Sequence, residues 1–145
     1  MSIDLKITNL KAFNKKLNKH LHDNKLKKIV TRGTNLVMNT AKESIMAGGT
    51  GISYSKYQPR RTHRASSPKD PPANDTGFLV SQISMNVTSS NNGSVEGTII
   101  SAAPYSKALE FGTINIQPRP FMHPALKKNK KKIQAMFKKG ILKWA

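Results

Sequence analysis

Seven carboxylates and four imidazoles are the groups in this 145-residue chain that could do acid–base or metal chemistry. Their spacing speaks against most of it. Asp4, Asp23, Glu43, Asp70, Asp75, Glu96 and Glu110 are scattered singly. Glycoside cleavage needs two cooperating carboxylates, and nuclease chemistry needs an acidic cluster for its metal ions. Neither stands out. His20 and His22 sit two apart on a helical stretch, so they point to different sides and do not chelate one ion there. A zinc site from His63, His123 and an acid is disfavoured. The run Gly48-Gly49-Thr50-Gly51 is similar to a phosphate cradle only on the surface. A phosphate loop follows a strand, opens a helix and ends in Gly-Lys-Ser/Thr. This run follows a helical pattern and reads as its termination. The expectation is therefore a protein that is not an enzyme and has no cofactor and no metal.

Charge is the next feature. There are 25 Lys and Arg against 7 Asp and Glu, a formal net charge of +18. Self-repulsion on that scale disfavours a compact domain unless a partner supplies anions. Arg60, Arg61, Arg64 and Lys69 fall in one stretch rich in proline and tyrosine, and they are the candidate contact to DNA or an acidic partner. A small basic nucleic-acid-binding protein is one function that fits, with Tyr54 and Tyr57 available to stack on bases. No recognition motif of that class is present. There is no cysteine, which excludes disulfides and thiolate zinc sites. No apolar run approaches the roughly 18 residues of a membrane span, and the opening residues lack a signal peptide's apolar region. No membrane partner is expected.

Residues 104–126, PYSKALEFGTINIQPRPFMHPAL, show neither a helical nor a strand period. Gly112 breaks the patch formed by Tyr105, Leu109 and Phe111. Pro118 and Pro120 bracket Arg119, and Pro124 suits the first turn of a new helix. Such a segment holds an apolar platform at a fixed angle to the helix after it, which suits an assembly surface more than a catalytic pocket. Glu110, flanked by Leu109 and Phe111, is expected in an ion pair, with Arg119 or with a neighbouring subunit's cation. The subunit- or partner-facing candidates are Tyr105, Glu110, Phe111, Arg119 and Phe121. Phe111 and Phe121, with Leu126, weigh toward the chain's own core, and Tyr105 is evenly divided.

This segment resembles the signature of phage tail-completion, or head–tail joining, proteins of the neck of long-tailed bacteriophages. The matching residues are Tyr105, Leu109, Glu110, Phe111, Gly112, Thr113, Arg119, Pro120, Phe121, Pro124, Ala125 and Leu126. A second match lies upstream in Pro71, Pro72, Thr76, Gly77, Leu79, Ser81 and Ile83, where Gln82 separates two residues that the family often joins. The resemblance implies a structural virion protein in the neck or tail, assembled in the host cytoplasm. It implies a homo-oligomeric ring, with a hexamer favoured by the symmetry of the tail. Head-closure proteins and tail-terminator or tail-tube proteins would be its neighbours, with non-specific contact to channel DNA.

The elements that must position these residues form one domain, residues 1–145. Residues 8–47 read as helical. Leu10, Phe13, Leu17 and Leu21 share one face, and Leu26, Val30, Gly33, Val37 and Ala41 continue it. Between them, at Asp23–Asn24, lies either a kink in one helix or a break between two. Residues 48–75 read as a basic loop or arm that projects from the core, with a two-stranded flap around 52–57, ordered on assembly. Residues 76–103 read as a β-hairpin, with alternation at Ile83, Met85 and Val87 and a turn at Asn91-Asn92-Gly93. The platform at 104–123 and a C-terminal helix at 124–145 complete the chain, and residues 114–117 could add a strand. The fold class expected is α+β, with a long N-terminal helix and a C-terminal helix packed on a small antiparallel sheet.

Overall fold

The computed structural model describes residues 1–5, 23–57, 60–90 and 94–142. The order is β1 (Ser2–Leu5), α1 (Asp23–Met46), β2 (Ser53–Tyr57), β3 (Arg60–Arg64), α2 (Phe78–Ser81), β4 (Ile83–Ser89), β5 (Val95–Ser101), α3 (Ser106–Phe111) and α4 (Met122–Leu142). The fold is α+β, as the residue patterns indicate. The apolar run of the first helical pattern, the turn at 91–93, and the imidazoles His20 and His22 fall outside the described residues.

A three-stranded antiparallel sheet has the order β1-β5-β4. Its register runs from Ile83 opposite Ser101 to Ser89 opposite Val95, and from Ser2 opposite Ile100 to Leu5 opposite Gly97. The third strand is thus β1. Residues 114–117 do not form it, and 114–116 instead make bends. On β5, Gly97, Ile99 and Ser101 are buried while Glu96 is exposed, the alternation of a half-buried strand.

Helix α1 lies across β4 and β5, and α4 packs on α1. Residues Val30, Thr34, Val37, Ala41 and Ile45 recur at three- and four-residue steps, and all are buried. Thr34 also donates to the carbonyl of Val30 at 2.9 Å, which satisfies its hydroxyl inside the core. The side chain of Ile133 lies 3.5 Å from where a Cβ on Gly33 would stand, and Asn129 Nδ2 donates to Thr40 Oγ1 at 2.8 Å. Residue numbers fall along α1 as they rise along α4, so the helices are antiparallel. Phe121, Met122, Ala125 and Ile133 join Ile45, Ile83 and Ile99 in one core. Helix α1 stops at Met46, and Gly48 takes φ +93, the left-handed region that favours glycine after a helix. The glycine run therefore ends a helix.

The basic stretch has two parts. Strands β2 and β3 pair from Ser53 opposite Arg64 to Tyr57 opposite Arg60. The return leg is laid on the body and does not project. Ser66 and Pro72 are buried, Lys69 N–H donates to Pro118 O at 2.9 Å, and Asn74 N–H donates to Ile45 O at 3.1 Å. The expected hairpin at 76–103 also opens differently, because the single turn α2 precedes β4. No helix among the described residues is long and apolar enough to cross a membrane.

Candidate functional site

The site is built around one carboxylate. Glu110 sits near the end of α3 and is only 4% exposed. Its Oε2 accepts from the backbone N–H of Phe121 at 2.9 Å and of Met122 at 3.0 Å, and its Oε1 accepts from His123 N–H at 2.8 Å. The first four N–H groups of a helix have no partner within it. Here three of them go to Glu110, and the fourth position is Pro124, which has no N–H to satisfy. The positive end of the helix dipole adds to the attraction. Helix α4 thus begins at Met122, two residues before the expected Pro124, because the cap that starts it arrives from α3.

The expected ion pair between Glu110 and Arg119 is not formed among the described residues. The carboxylate is saturated by backbone donors, and Arg119 is tied through its own backbone, donating to Leu109 O at 2.6 Å. Its side-chain Nε is buried and has no hydrogen-bond partner.

Between the two halves of this junction a short loop is held out. Gly112 has φ +76 and ψ 177, a combination that glycine tolerates best. Thr113 N–H donates to Ile116 O at 2.8 Å, Ile116 N–H returns to Thr113 O at 3.3 Å, and Thr113 Oγ1 accepts from Asn115 N–H and Ile116 N–H. The turn is therefore closed on itself. It displays Ile114 fully exposed, Ile116 exposed and, at its base, Phe111 at 65% exposure. This corrects the core reading of Phe111. Phe121, at 1% exposure, is core, so it is not available to a partner as the chain stands. Tyr105 is exposed and stands 6.2 Å from Phe78, ring centre to ring centre.

Beside the platform lies an open cleft of about 240 Å³, lined by Tyr54, His63, Asp75, Phe78, Tyr105 and Arg119 among others. His63 meets Tyr54 edge-on at 5.4 Å, its cross-strand partner in β2–β3, and its Nδ1 is 3.6 Å from Asp75 Oδ1. Asp75 also pairs with Lys56. These contacts fasten the hairpin to the turn before α2. No group of three or more His, Cys, Asp or Glu that could hold a metal ion occurs among the described residues.

Of the four cations nominated for DNA or an acidic partner, Arg64 and Lys69 have described side chains, and they serve different ends. Arg60 and Arg61 lie on β3, and nothing of their side chains is described. Arg64 donates to Gly51 O at 3.0 Å and to Thr50 O at 3.3 Å, so its guanidinium closes the base of the hairpin. Lys69 is exposed and takes φ 72 in the turn against Pro118.

Reasoning from residue types offers Ile114 and Ile116 only as part of a possible further strand and misses their exposure. Their signal was an apolar pair between a glycine and a proline, too short to pair with anything. No family model, curated protein or solved structure matches this chain.

Proposed function

We propose that this chain is a structural subunit of a phage neck, a non-enzymatic protein that forms a ring, completes the tail and joins it to the DNA-filled head. The observation that carries the reading is the Glu110 cap. Beside Tyr105 and the upstream match at Pro71–Ile83, the residues that resemble the neck signature fall in two groups, Leu109–Thr113 and Arg119–Leu126, and a single carboxylate fastens one to the other. That gives the signature a physical purpose. It fixes the Phe111–Ile116 platform at a set angle to α4, so that apolar side chains are presented without the freedom that would make docking entropically costly.

Rings of identical subunits use head-to-tail contacts in which one patch meets a different patch on the next copy. An exposed apolar tip on a rigid base suits such a contact, or one with the head-closure and tail proteins above and below. The virion would be its location, and the ring its working state.

The test is electron microscopy of lysates from a phage lacking the gene. DNA-filled heads beside separate, full-length tails are the expected result. Normally joined particles would overturn the assignment.

A further inference from the structure

We infer that the outward, lysine-bearing face of α4 is a binding surface for the phosphate backbone of duplex DNA. Together the two helices carry twelve Lys and Arg and two acids, Asp23 and Glu43, which stand near the ends of α1. Every lysine of α4 is exposed, as are Lys27, Lys28 and Arg32 of α1. Asn129 and Ile133 of α4 face α1, and α4 alone presents seven exposed lysines and no acid to solvent.

Three features separate this surface from an ordinary solvated helix face. A solvated face usually interleaves acids with bases at four-residue steps, which supports the helix. Here Lys127 is followed at that step by Lys131, and Lys128 by Lys132, pairings that repel. The run also stands in the first half of α4, where cations oppose the helix dipole. Such an arrangement weakens the free protein, and a bound polyanion relieves it. Finally, the exposed large apolar side chains among the described residues lie on the hairpin side, α2, α3 and the platform, apart from Met46 at the end of α1. None lies among the exposed lysines of α4. Docking to an acidic protein depends on buried aromatic or aliphatic anchors, whereas binding to phosphates is carried by charge alone.

The geometry fits a duplex. At 100° and 1.5 Å per residue, Lys127, Lys131 and Lys138 fall on one stripe, opposite the buried Asn129 and Ile133. The stripe is about 16 Å long, roughly five base-pair steps at 3.4 Å per phosphate on a strand. Lys128, Lys132 and Lys139 make a second row beside it. Among the hairpin cations with described side chains, Arg64 is held by two carbonyls and Lys56 by Asp75, so these two are less suited to the task.

This inference is independent of the neck reading, and the two can fail separately. The experiment is fluorescence anisotropy of the full chain with a random-sequence DNA duplex across 50–200 mM salt. The wild type should show a linear dependence of log affinity on log salt and no preference among sequences. The variant K127Q/K131Q/K138Q should keep its circular dichroism spectrum and flatten the slope by about 2.7, from about 0.9 per lost phosphate contact. R64Q/K69Q should change the slope by less than about 1. The inference is overturned if the wild type shows no salt-dependent binding, if the hairpin variant flattens the slope and the α4 variant does not, or if poly-glutamate of equal charge displaces the duplex as well as DNA does.

Discussion

Replacing Glu110 by glutamine removes one negative charge and one of two acceptor oxygens while keeping the shape of the side chain. The amide oxygen can keep the position that accepts from Phe121 and Met122, but the amide nitrogen then faces His123 N–H with a donor. A hydrogen bond to a charged group contributes about 1.5–3 kcal/mol. The interaction of a partly buried charge with a helix end adds up to about 2 kcal/mol. These terms overlap, so the expected loss is about 3 kcal/mol for Glu110→Gln. It is about 4 kcal/mol for Glu110→Ala, which leaves three N–H groups without their acceptor. With a urea m-value of about 2 kcal/mol/M, a 3 kcal/mol loss lowers the unfolding midpoint by about 1.5 M. Glu96→Gln, at an exposed position of β5, serves as the control and should stay within about 0.5 kcal/mol of wild type. Amide exchange at Phe121, Met122 and His123 should accelerate in Glu110→Gln before the rest of α4 does. If Glu110→Gln is no less stable than the control, the carboxylate does not hold α4, and the account of the platform fails with it.

Gly112→Ala combines a positive φ with a Cβ that would stand 2.8 Å from Ile116 O, so urea unfolding should show a loss of about 2 kcal/mol. Gly97→Ala would drive a methyl group into Thr34 Oγ1 on α1, and overpacking of this kind costs about 1–3 kcal/mol. Thr34→Ala in the same chain should recover part of that loss, and additive effects in the double-mutant cycle would refute the contact. Phe111→Ser with Ile114→Ser should leave stability within about 0.5 kcal/mol, while the yield of joined particles from a complemented phage falls. A normal yield would remove these side chains from the assembly surface.

Elements with a sustained period were legible in the residues. The three- and four-residue steps of Val30, Gly33, Val37, Ala41 and Ile45 give α1, and the alternation at Ile83, Met85 and Val87 gives β4. What escaped depends on contacts between distant parts of the chain. Strand β1 pairs with β5 across some 95 residues, and four residues of mixed type carry no period that could announce it. An acid in a basic chain invites a cation, so residue type points Glu110 to an ion pair. Its partners are backbone donors on another helix, which side-chain identity does not reveal. Residue type weighs Phe111 toward the core, but the glycine after it turns the chain outward. The platform was recognised as a break in periodicity, yet its exposed tip needed the closed turn from Thr113 to Ile116 to become visible. The basic segment misled for a similar reason. Its cations are adjacent in sequence, but Arg64 is consumed in fastening the hairpin.

The cap on α4 and the lysines that follow it are energetically linked. Lys127 and Lys128 lie about one turn beyond the donors that Glu110 accepts, close to the positive end of the dipole. In the wild type, the Glu110 carboxylate attracts these cations and offsets the dipole's repulsion. Neutralising them there gives up one favourable term while relieving an unfavourable one, so K127Q/K128Q should change stability little. With Glu110→Gln already present, the attraction is gone and only repulsion remains, from the dipole and from the like-charged neighbours Lys131 and Lys132. The same two lysine substitutions should then stabilise the protein by a few tenths to about 1 kcal/mol, with the gain shrinking as salt screens it. The coupling in the double-mutant cycle is therefore positive and salt-dependent. Additivity within about 0.3 kcal/mol would mean that the lysines do not sense the cap. Their crowding at the start of α4 would then place no demand on Glu110, and the carboxylate would serve the platform alone.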